Sequence, residues 1–226
     1  MDDAGPVGLW SRLHDWAVRW RLSPPVLSAG WLCLPPSYRA AVVDGWVTRP
    51  LFEPPGDDTV GRVLESESGV VLPMDLRTLY GVQGGSYAPL LPYGMSLLPY
   101  EAMLTCWRYW AASIAELQGG MPQLADAGTH YDWPAIRSWL PVAENDDSSI
   151  VLDFQPGPEG TVGQVLFPLD EVNRVVVASS LTDLLHRWLA ALDRGDVRFD
   201  PHYGYAVPVD PGAEYADVLR DDEPAP

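Results

Sequence analysis

Two segments of the chain carry apolar residues at the three- and four-residue spacing of an amphipathic helix. The first spans residues 9–20, where the apolar face is formed by Leu9, Leu13, Trp16 and Trp20. The second begins after Ser180, which has the pattern of a capping box with Asp183, and ends before Gly195. Its apolar stripe consists of Leu181, Leu184, Leu185, Trp188, Leu189 and Leu192. Each pattern predicts a helix that packs against a core.

Three further helices are predicted from residues that start or stop a helix. Residues 59–68 precede Gly69, which fits the left-handed position that follows many helices. Pro73 fits the first turn of a short helix that runs to Tyr80, and Pro99 opens a longer helix that ends at a pair of glycines. The apolar stripe of the longer helix contains Met103, Trp107, Trp110, Ile114 and Leu117.

Four short runs of β-branched and aromatic residues lie between these helices and are separated by turn residues. The runs cover residues 139–143, 150–154, 162–167 and 174–178. Prolines and glycines at residues 155–160 predict the turn of the middle hairpin. Helices on either side of a block of short strands indicate an α+β fold, with a mainly antiparallel sheet of about four to six strands flanked by helices.

The positions of prolines and acids suggest how the chain is divided. We expect residues 1–200 to form one domain, in which helix 9–20 docks on the core. A proline-rich insert at residues 21–58 is expected to form loops around a short helix at residues 38–43. Residues 201–226 contain six acids and five prolines, which predicts an acidic extended tail.

Charge and hydropathy narrow the class of partner. The chain has 14 cationic residues, all of them arginine, against 31 carboxylates, and its formal net charge is -17. Nucleic acid is therefore not an expected partner, because binding to a phosphate backbone depends on cations that displace counterions. The apolar runs are far shorter than the ~20 residues of a membrane span, and the chain does not open with the basic start of a signal peptide. We expect a cytoplasmic protein that does not contact a membrane.

The acid excess is concentrated between Arg137 and Arg174, a stretch without basic residues. A negative field speeds the encounter with a basic protein. The alternative is a solvated surface that keeps the protein soluble. The candidate partner-binding residues are Glu144, Asp146, Asp147, Asp153, Asp170, Glu171 and the loop tryptophan Trp133.

Patterns that indicate catalysis or metal binding are sparse. The four histidines lack a second ligand at metal-site spacing, apart from His186 beside Asp183, a pair typical of an exposed helix contact. The two cysteines lie too far apart for a metal knuckle, and no serine stands in a G-x-S-x-G elbow. Asp146 and Asp147, with Asp153 on the adjoining strand, leave a hydrolase as one remaining hypothesis. We expect a protein without enzyme activity, cofactor or metal ion.

One part of the sequence resembles a known family. Residues 69–80 begin with a glycine, two variable residues, an apolar residue and a proline, and continue with a short helix. This segment leads into Gln83-Gly84-Gly85. The pattern continues in the same order through residues 91–103, 139–145 and 152–165 and into the closing helix. Together these motifs resemble the SUKH superfamily over residues 60–195. Gln83 departs from the pattern, since the family usually has Asn or Asp at this position.

The resemblance implies a SUKH-like fold and a non-enzymatic function in protein binding. Bacterial members are immunity proteins that neutralise a cognate toxin, often a nuclease, and fungal relatives are regulators of cell-wall synthesis that act as scaffolds. An acidic immunity protein suits a basic toxin because it covers the surface that otherwise meets phosphate. We therefore expect an immunity protein, with a regulatory scaffold for an endogenous protein as the alternative. The oligomeric state is not indicated by the sequence.

Overall fold

A computed structural model describes residues 6–21, 51–117, 138–145, 148–158, 160–168, 174–200 and 203–219. These residues form six α-helices, a five-stranded antiparallel sheet and a separate two-stranded sheet. The arrangement confirms the predicted α+β class.

The main sheet is an antiparallel meander whose strands lie in sequence order. The strands are β1 (Ser96–Leu97), β2 (Trp139–Glu144), β3 (Ser149–Asp153), β4 (Gln164–Pro168) and β5 (Arg174–Ala178). In the register, Leu140 of β2 pairs with Leu152 of β3, which pairs in turn with Val165 of β4. Four of the five strands are those predicted from the β-branched and aromatic runs.

The helices cover the sheet and each other. They are α1 (Pro6–Arg21), α2 (Asp58–Ser68), α3 (Met74–Tyr80), α4 (Tyr100–Leu117), α5 (Leu181–Arg194) and α6 (Tyr215–Leu219). Helix α4 packs against β2 and α2, whereas α5 contacts β4, β5, α1, α3 and α6. Strands β6 (Val197–Asp200) and β7 (Tyr205–Pro208) form the two-stranded sheet after α5.

Local capping residues set the ends of the helices as predicted. The Ser180 side chain accepts a hydrogen bond from the backbone N–H of Asp183 at 3.1 Å, which satisfies a donor in the first turn of α5. Gly69 and Gly195 follow α2 and α5 in the left-handed conformation, with φ of 73° and 80°. Pro73 differs from the prediction, because it lies one residue before α3 rather than in its first turn, and its carbonyl oxygen accepts a hydrogen bond from the backbone N–H of Arg77 at 3.0 Å.

Large aromatic side chains lie at the centre of the core, and their polar atoms are satisfied there. Trp188, Tyr80 and Phe167 are among the largest fully buried residues. The Trp188 Nε1–H donates to the carbonyl oxygen of Leu90 at 2.7 Å, and the Tyr80 hydroxyl donates to that of Leu98 at 2.7 Å. These bonds remove the desolvation cost of burying the indole N–H and the phenol O–H.

Helix α1 docks on the core as predicted, but its buried face is rotated. Leu9, Trp10 and Leu13 are almost fully buried. Trp16 is only partly buried, and its Nε1–H donates to Asp193 of α5 at 3.2 Å. Trp16 therefore packs against the edge of the core, and Trp10 takes the fully buried position on this helix.

The C-terminal segment differs from the predicted extended tail. Strand β7 pairs with β6, and Tyr215, Ala216 and Leu219 of α6 are buried. Glu214 and Asp217 are exposed, so α6 is a short amphipathic helix within a segment of acidic, proline-rich composition. Residues 220–226 and the predicted helix at residues 38–43, with most of the proline-rich insert, lie outside the described residues.

Candidate binding surface

The predicted acidic residues belong to opposite ends of the meander. In the register, Glu144 pairs with Ser149 across the β2–β3 hairpin, and Pro168 pairs with Arg174 across the β4–β5 hairpin. Every second connection of a meander lies at the same end of the sheet, so both connections leave from one end, which we call the loop end. Five candidate residues lie outside the described ranges and stay predictions: Asp146, Asp147, Asp170, Glu171 and Trp133.

Asp153 lies at the other end of β3 and is fully buried. Its Oδ2 accepts a hydrogen bond from Gln164 Nε2 at 3.1 Å, and its Oδ1 accepts one from the backbone N–H of Gln155 at 3.0 Å. The prediction that Asp153 contacts a partner is wrong, because its carboxylate holds the turn between β3 and β4. The length of β3, roughly 13 Å between its end residues, also separates Asp153 from the loop end, which argues against a shared hydrolase site.

Glu144, at the loop end, contacts helix α4. The Cys106 thiol donates a hydrogen bond to Glu144 Oε2 over 3.2 Å. Burial, and then this hydrogen bond and the negative charge, raise the pKa of the Cys106 thiol to about 12. The thiol therefore stays protonated at neutral pH and lacks the thiolate character of a nucleophilic cysteine.

The turn that precedes β1 holds a tyrosine in an uncommon backbone conformation. Residues Pro92–Gly94 form one 3-10 turn, in which Tyr93 has φ 59° and ψ 18°. This left-handed conformation costs a residue other than glycine roughly 1–2 kcal/mol. The Asn145 side-chain amide, next to Glu144 in sequence, donates to the carbonyl oxygen of Tyr93 at 2.9 Å. The hydrogen bond holds the Tyr93 turn against the loop end of the sheet.

The β6–β7 hairpin brings two more tyrosines to this turn. Tyr203 stands in the hairpin turn with 59% of its surface exposed, and Tyr205 pairs with Asp200 across the strands. The two tyrosine rings have centroids 5.7 Å apart and planes at 35°. The Tyr205 ring occupies the space where a side chain at Gly94 would project, since a Cβ there would lie within 2.9 Å of three ring carbons.

Tyr215 connects these exposed rings to the core. Its ring centroid lies 4.3 Å from that of Tyr93 and 6.2 Å from that of Trp188. Its hydroxyl donates to the carbonyl oxygen of Ala206 at 2.8 Å. Burial, followed by the proximity of Tyr205, raises the pKa of Tyr215 well above its usual range. The aromatic layer is thus anchored at its inner side.

Carboxylates lie beside the aromatic layer. We define the aromatic-acidic surface by the residues Tyr93, Tyr203, Tyr205, Asp200, Glu214 and Asp217. Burial raises the pKa of Tyr93, and the negative charges of Glu214 and Asp217 raise it further. Burial and the neighbouring tyrosine raise the pKa of Tyr205, and Asp200 adds to the shift. Tyr93 and Tyr205 stay protonated at neutral pH, and a cation that approaches them enters a negative field.

This arrangement suits binding of a cationic group rather than metal chemistry. The rings offer aromatic faces, and the carboxylates accept hydrogen bonds from charged donors. Within the described ranges, no set of three or more His, Cys, Asp or Glu residues is placed to hold a metal ion. No helix in the same ranges has the length and apolarity of a membrane span.

Known proteins share the part of the chain that contains the main sheet. The model of the SMI1 / KNR4 family (SUKH-1) matches residues 61–187, which is more than half of the chain. The chain belongs to the SMI1 / KNR4 family. This membership confirms the resemblance to the SUKH superfamily. A similar curated protein is the cell wall biosynthesis/cell cycle regulator smi1 of Schizosaccharomyces pombe, 35% identical over 141 residues.

The match with the yeast regulator covers 54% of this chain and 28% of the regulator. The chain therefore spans well under half the length of that relative. Proteins of the SMI1 / KNR4 family are generally interaction and regulatory proteins rather than enzymes. A protein partner is consistent with this family.

The aromatic-acidic surface is built partly on the SMI1 / KNR4 segment and partly on residues beyond it. Tyr93 lies inside residues 61–187, whereas Tyr203, Tyr205 and Glu214 follow that segment. The family segment thus supplies the left-handed turn at Tyr93 and the first half of α5. The C-terminal hairpin and α6 supply most of the exposed rings and acids.

Sequence reasoning missed the C-terminal half of this surface. The signal was present in the Tyr-Gly-Tyr step at residues 203–205, which separates two short runs with aromatic and β-branched residues. Such a pattern is typical of a hairpin. The apolar residues Tyr215, Ala216 and Leu219 also fall on one helical face. Both patterns were missed because the prediction for this segment used only its count of acids and prolines.

Proposed function

We propose that this member of the SMI1 / KNR4 family is a non-enzymatic protein-binding domain that captures a basic protein on its aromatic-acidic surface. The observation that carries the proposal is the grouping of tyrosine rings with Asp200, Glu214 and Asp217 on an anchored side of the fold. Tyrosine is enriched among the residues that dominate binding energy at protein interfaces. Surrounding carboxylates favour a cationic partner and speed its approach, and the net charge of -17 acts in the same direction.

The specific function we propose is neutralisation of a cognate toxin in the cytoplasm, with a basic nuclease as the expected class of toxin. A nuclease meets phosphate through cationic side chains. Carboxylates in a fixed arrangement compete for that same cationic surface. In this proposal the contact extends from the aromatic-acidic surface to the loop end and includes Glu144, Asp146, Asp147, Asp170, Glu171 and Trp133.

A regulatory scaffold is the second candidate. It is favoured by the similarity to smi1 of S. pombe, which is described as a regulator of cell wall biosynthesis and the cell cycle. In that case the aromatic-acidic surface binds an endogenous protein, and the proline-rich insert at residues 21–58 and the C-terminal segment at residues 201–226 act as docking segments.

Affinity capture with charge-neutral variants tests the binding surface. We expect Glu214→Gln with Asp217→Asn to lower affinity for the captured partner about tenfold, with most of the loss in the association rate at low salt. The matched control is Asp15→Asn with Glu101→Gln, which removes the same charge from exposed positions on α1 and α4. Equal affinity of the two variants would refute the proposed surface.

Growth measurements separate the two candidate functions. The captured partner is produced in host cells with and without this chain. We expect the partner alone to stop growth and the chain to restore it, because neutralisation requires a harmful partner. A partner that leaves growth unchanged and still binds the chain supports the regulatory scaffold instead.

A further inference from the structure

The tip of the β6–β7 hairpin presents a compact group of aromatic and acidic side chains. Asp200 and Tyr205 are cross-strand partners, and Tyr203 lies between them in the chain. The backbone N–H of Gly204 donates to the carbonyl oxygen of Asp200 at 2.8 Å, and Gly204 has φ 79°. This hydrogen bond joins the end of β6 to the residue before β7.

The Tyr203 ring is supported on its inner side. Its neighbour, the Tyr205 ring, fills the space above Gly94, and the two rings lie 5.7 Å apart. Tyr203 keeps 59% of its surface exposed. An exposed ring that rests on a packed ring gives a partner a flat face that needs little ordering before binding.

We propose that this hairpin tip binds the guanidinium group of an arginine on the protein partner, with the guanidinium plane stacked on Tyr203 and its N–H groups directed to Asp200. The inference rests on the proposed function, since it names the chemical group by which a basic partner is recognised. It assigns a specific role to Asp200 and Tyr203, which lie beyond the family match at residues 61–187.

Two physical arguments select arginine among the cationic side chains. Arginine is planar, stacks on aromatic faces and donates from a fork that matches a carboxylate, whereas lysine is a compact and strongly hydrated charge. The chain already contains one such contact, because the Arg19 Cζ lies 4.8 Å from the ring centroid of Trp16 on α1. The same geometry at Tyr203 places a guanidinium within the ~6 Å over which cation–π attraction acts.

Charge complementarity excludes acidic segments as occupants of the tip. Asp200 lies next to Tyr205, and Glu214 and Asp217 lie beside Tyr93 on the same surface. A carboxylate on the partner would meet like charges there, which costs affinity.

Peptide titrations of the full-length protein, followed by NMR of the tyrosine rings, test the inference. The probes are three short flexible peptides that carry arginine, lysine or citrulline at one position, where citrulline is the neutral counterpart of arginine. We expect the arginine peptide to shift the Tyr203 and Tyr205 ring signals, the lysine peptide to bind several-fold more weakly, and the citrulline peptide to leave the signals unchanged. Equal affinity of the arginine peptide and either other peptide would overturn the inference.

Substitutions of Tyr203 separate ring stacking from general charge attraction. Tyr203→Leu is expected to weaken binding of the arginine peptide about two- to fivefold, whereas Tyr203→Phe keeps the aromatic face and the affinity. Tyr109→Leu on α4 is the control, since this tyrosine is 71% exposed and belongs to a helix that packs against β2 and α2. Wild-type affinity in Tyr203→Leu would contradict the stacking.

Capture of the natural partner distinguishes this inference from the proposed function. If Tyr203→Leu keeps full capture while Glu214→Gln with Asp217→Asn loses it, the arginine site is wrong and the acidic surface stands. If both variants keep full capture, the acidic surface is wrong as well. Loss of capture in both variants supports the two proposals together.

Discussion

Replacing Gly94 by alanine tests how the exposed tyrosines are held. Gly94 has φ 67°, and a Cβ at this position would lie within 2.9 Å of three carbons of the Tyr205 ring. The alanine side chain therefore meets both an unfavourable backbone conformation and a packed ring. We expect the ring of Tyr205 to move outward and to separate from Tyr203.

The expected loss of stability follows from these two contributions. Alanine in the left-handed region is less stable than glycine by about 1 kcal/mol. Forcing an extra carbon into a packed site typically adds about 1–3 kcal/mol. We therefore expect Gly94→Ala to lower the free energy of unfolding by about 2–4 kcal/mol, measured in urea titrations followed by tryptophan fluorescence.

Two other glycines provide the control for the backbone contribution. Gly69 and Gly195 have φ of 73° and 80°, and a Cβ at either position meets no atom within 4 Å. We expect Gly69→Ala and Gly195→Ala to cost only about 1 kcal/mol each. In a Tyr205→Ala background, Gly94→Ala should cost no more than these controls. The reasoning is refuted if Gly94→Ala in the wild-type chain is as mild as Gly195→Ala.

Three further substitutions test single features. Asp153→Asn replaces a carboxylate oxygen that accepts a hydrogen bond from Gln164 by an amide group that is itself a donor. We expect the free energy of unfolding, measured in urea titrations, to fall by about 1–3 kcal/mol while the affinity for the partner stays unchanged. A loss of binding without a loss of stability would contradict this. Burial raises the pKa of Asp183, but hydrogen bonds from Arg187 and a serine lower it further than burial raises it, so the pKa is below its usual value. This group stabilises the fold above the ordinary carboxyl pKa of about 3.9 and loses its contribution as pH falls below that value. The urea concentration at the unfolding midpoint should therefore fall less between pH 4 and about pH 2 in Asp183→Asn than in the wild-type chain. An equal fall in both proteins would refute the assignment. The raised pKa of Cys106 predicts slow alkylation of this thiol at neutral pH, measured in a variant whose other cysteine is replaced by serine. Glu144→Gln in the same variant should speed the alkylation. Equal rates would show that Glu144 does not act on the thiol.

Helix boundaries were accessible to sequence reasoning because their signals are local. The Ser180 side chain caps α5 through a residue three positions later, and Gly195 ends the helix at the next position after Arg194. Both interactions depend only on neighbouring residues. The same holds for Gly69 after α2.

The direction of Asp153 was not accessible in this way. Every residue of β3 is buried, so the strand has no outward face to which an acid can be assigned by alternation. The carboxylate is satisfied by Gln164, eleven positions later in the chain. An acid that looks solvated in sequence is therefore part of the interior in the folded protein.

The aromatic-acidic surface depends on contacts between distant parts of the chain. Asn145 hydrogen-bonds to the backbone of Tyr93, which lies 52 positions earlier. Tyr205 packs above Gly94, and Tyr215 packs on Tyr93. None of these contacts has a local sequence signal, which explains why the candidate residues were taken from the acidic stretch of the chain and one loop tryptophan.

The docking of α1 on α5 has a consequence for the order of folding during synthesis. Trp10 donates to the carbonyl oxygen of Leu79, 69 positions later, whereas Arg12 forms an ion pair with Asp193, 181 positions later. At ribosomal rates of 5–20 residues per second, the second partner emerges roughly 10–35 s after the first helix. Helix α1 thus leaves the ribosome well before the helix on which it docks, and the nascent chain stays open to proteases at a segment that is firmly packed in the finished protein.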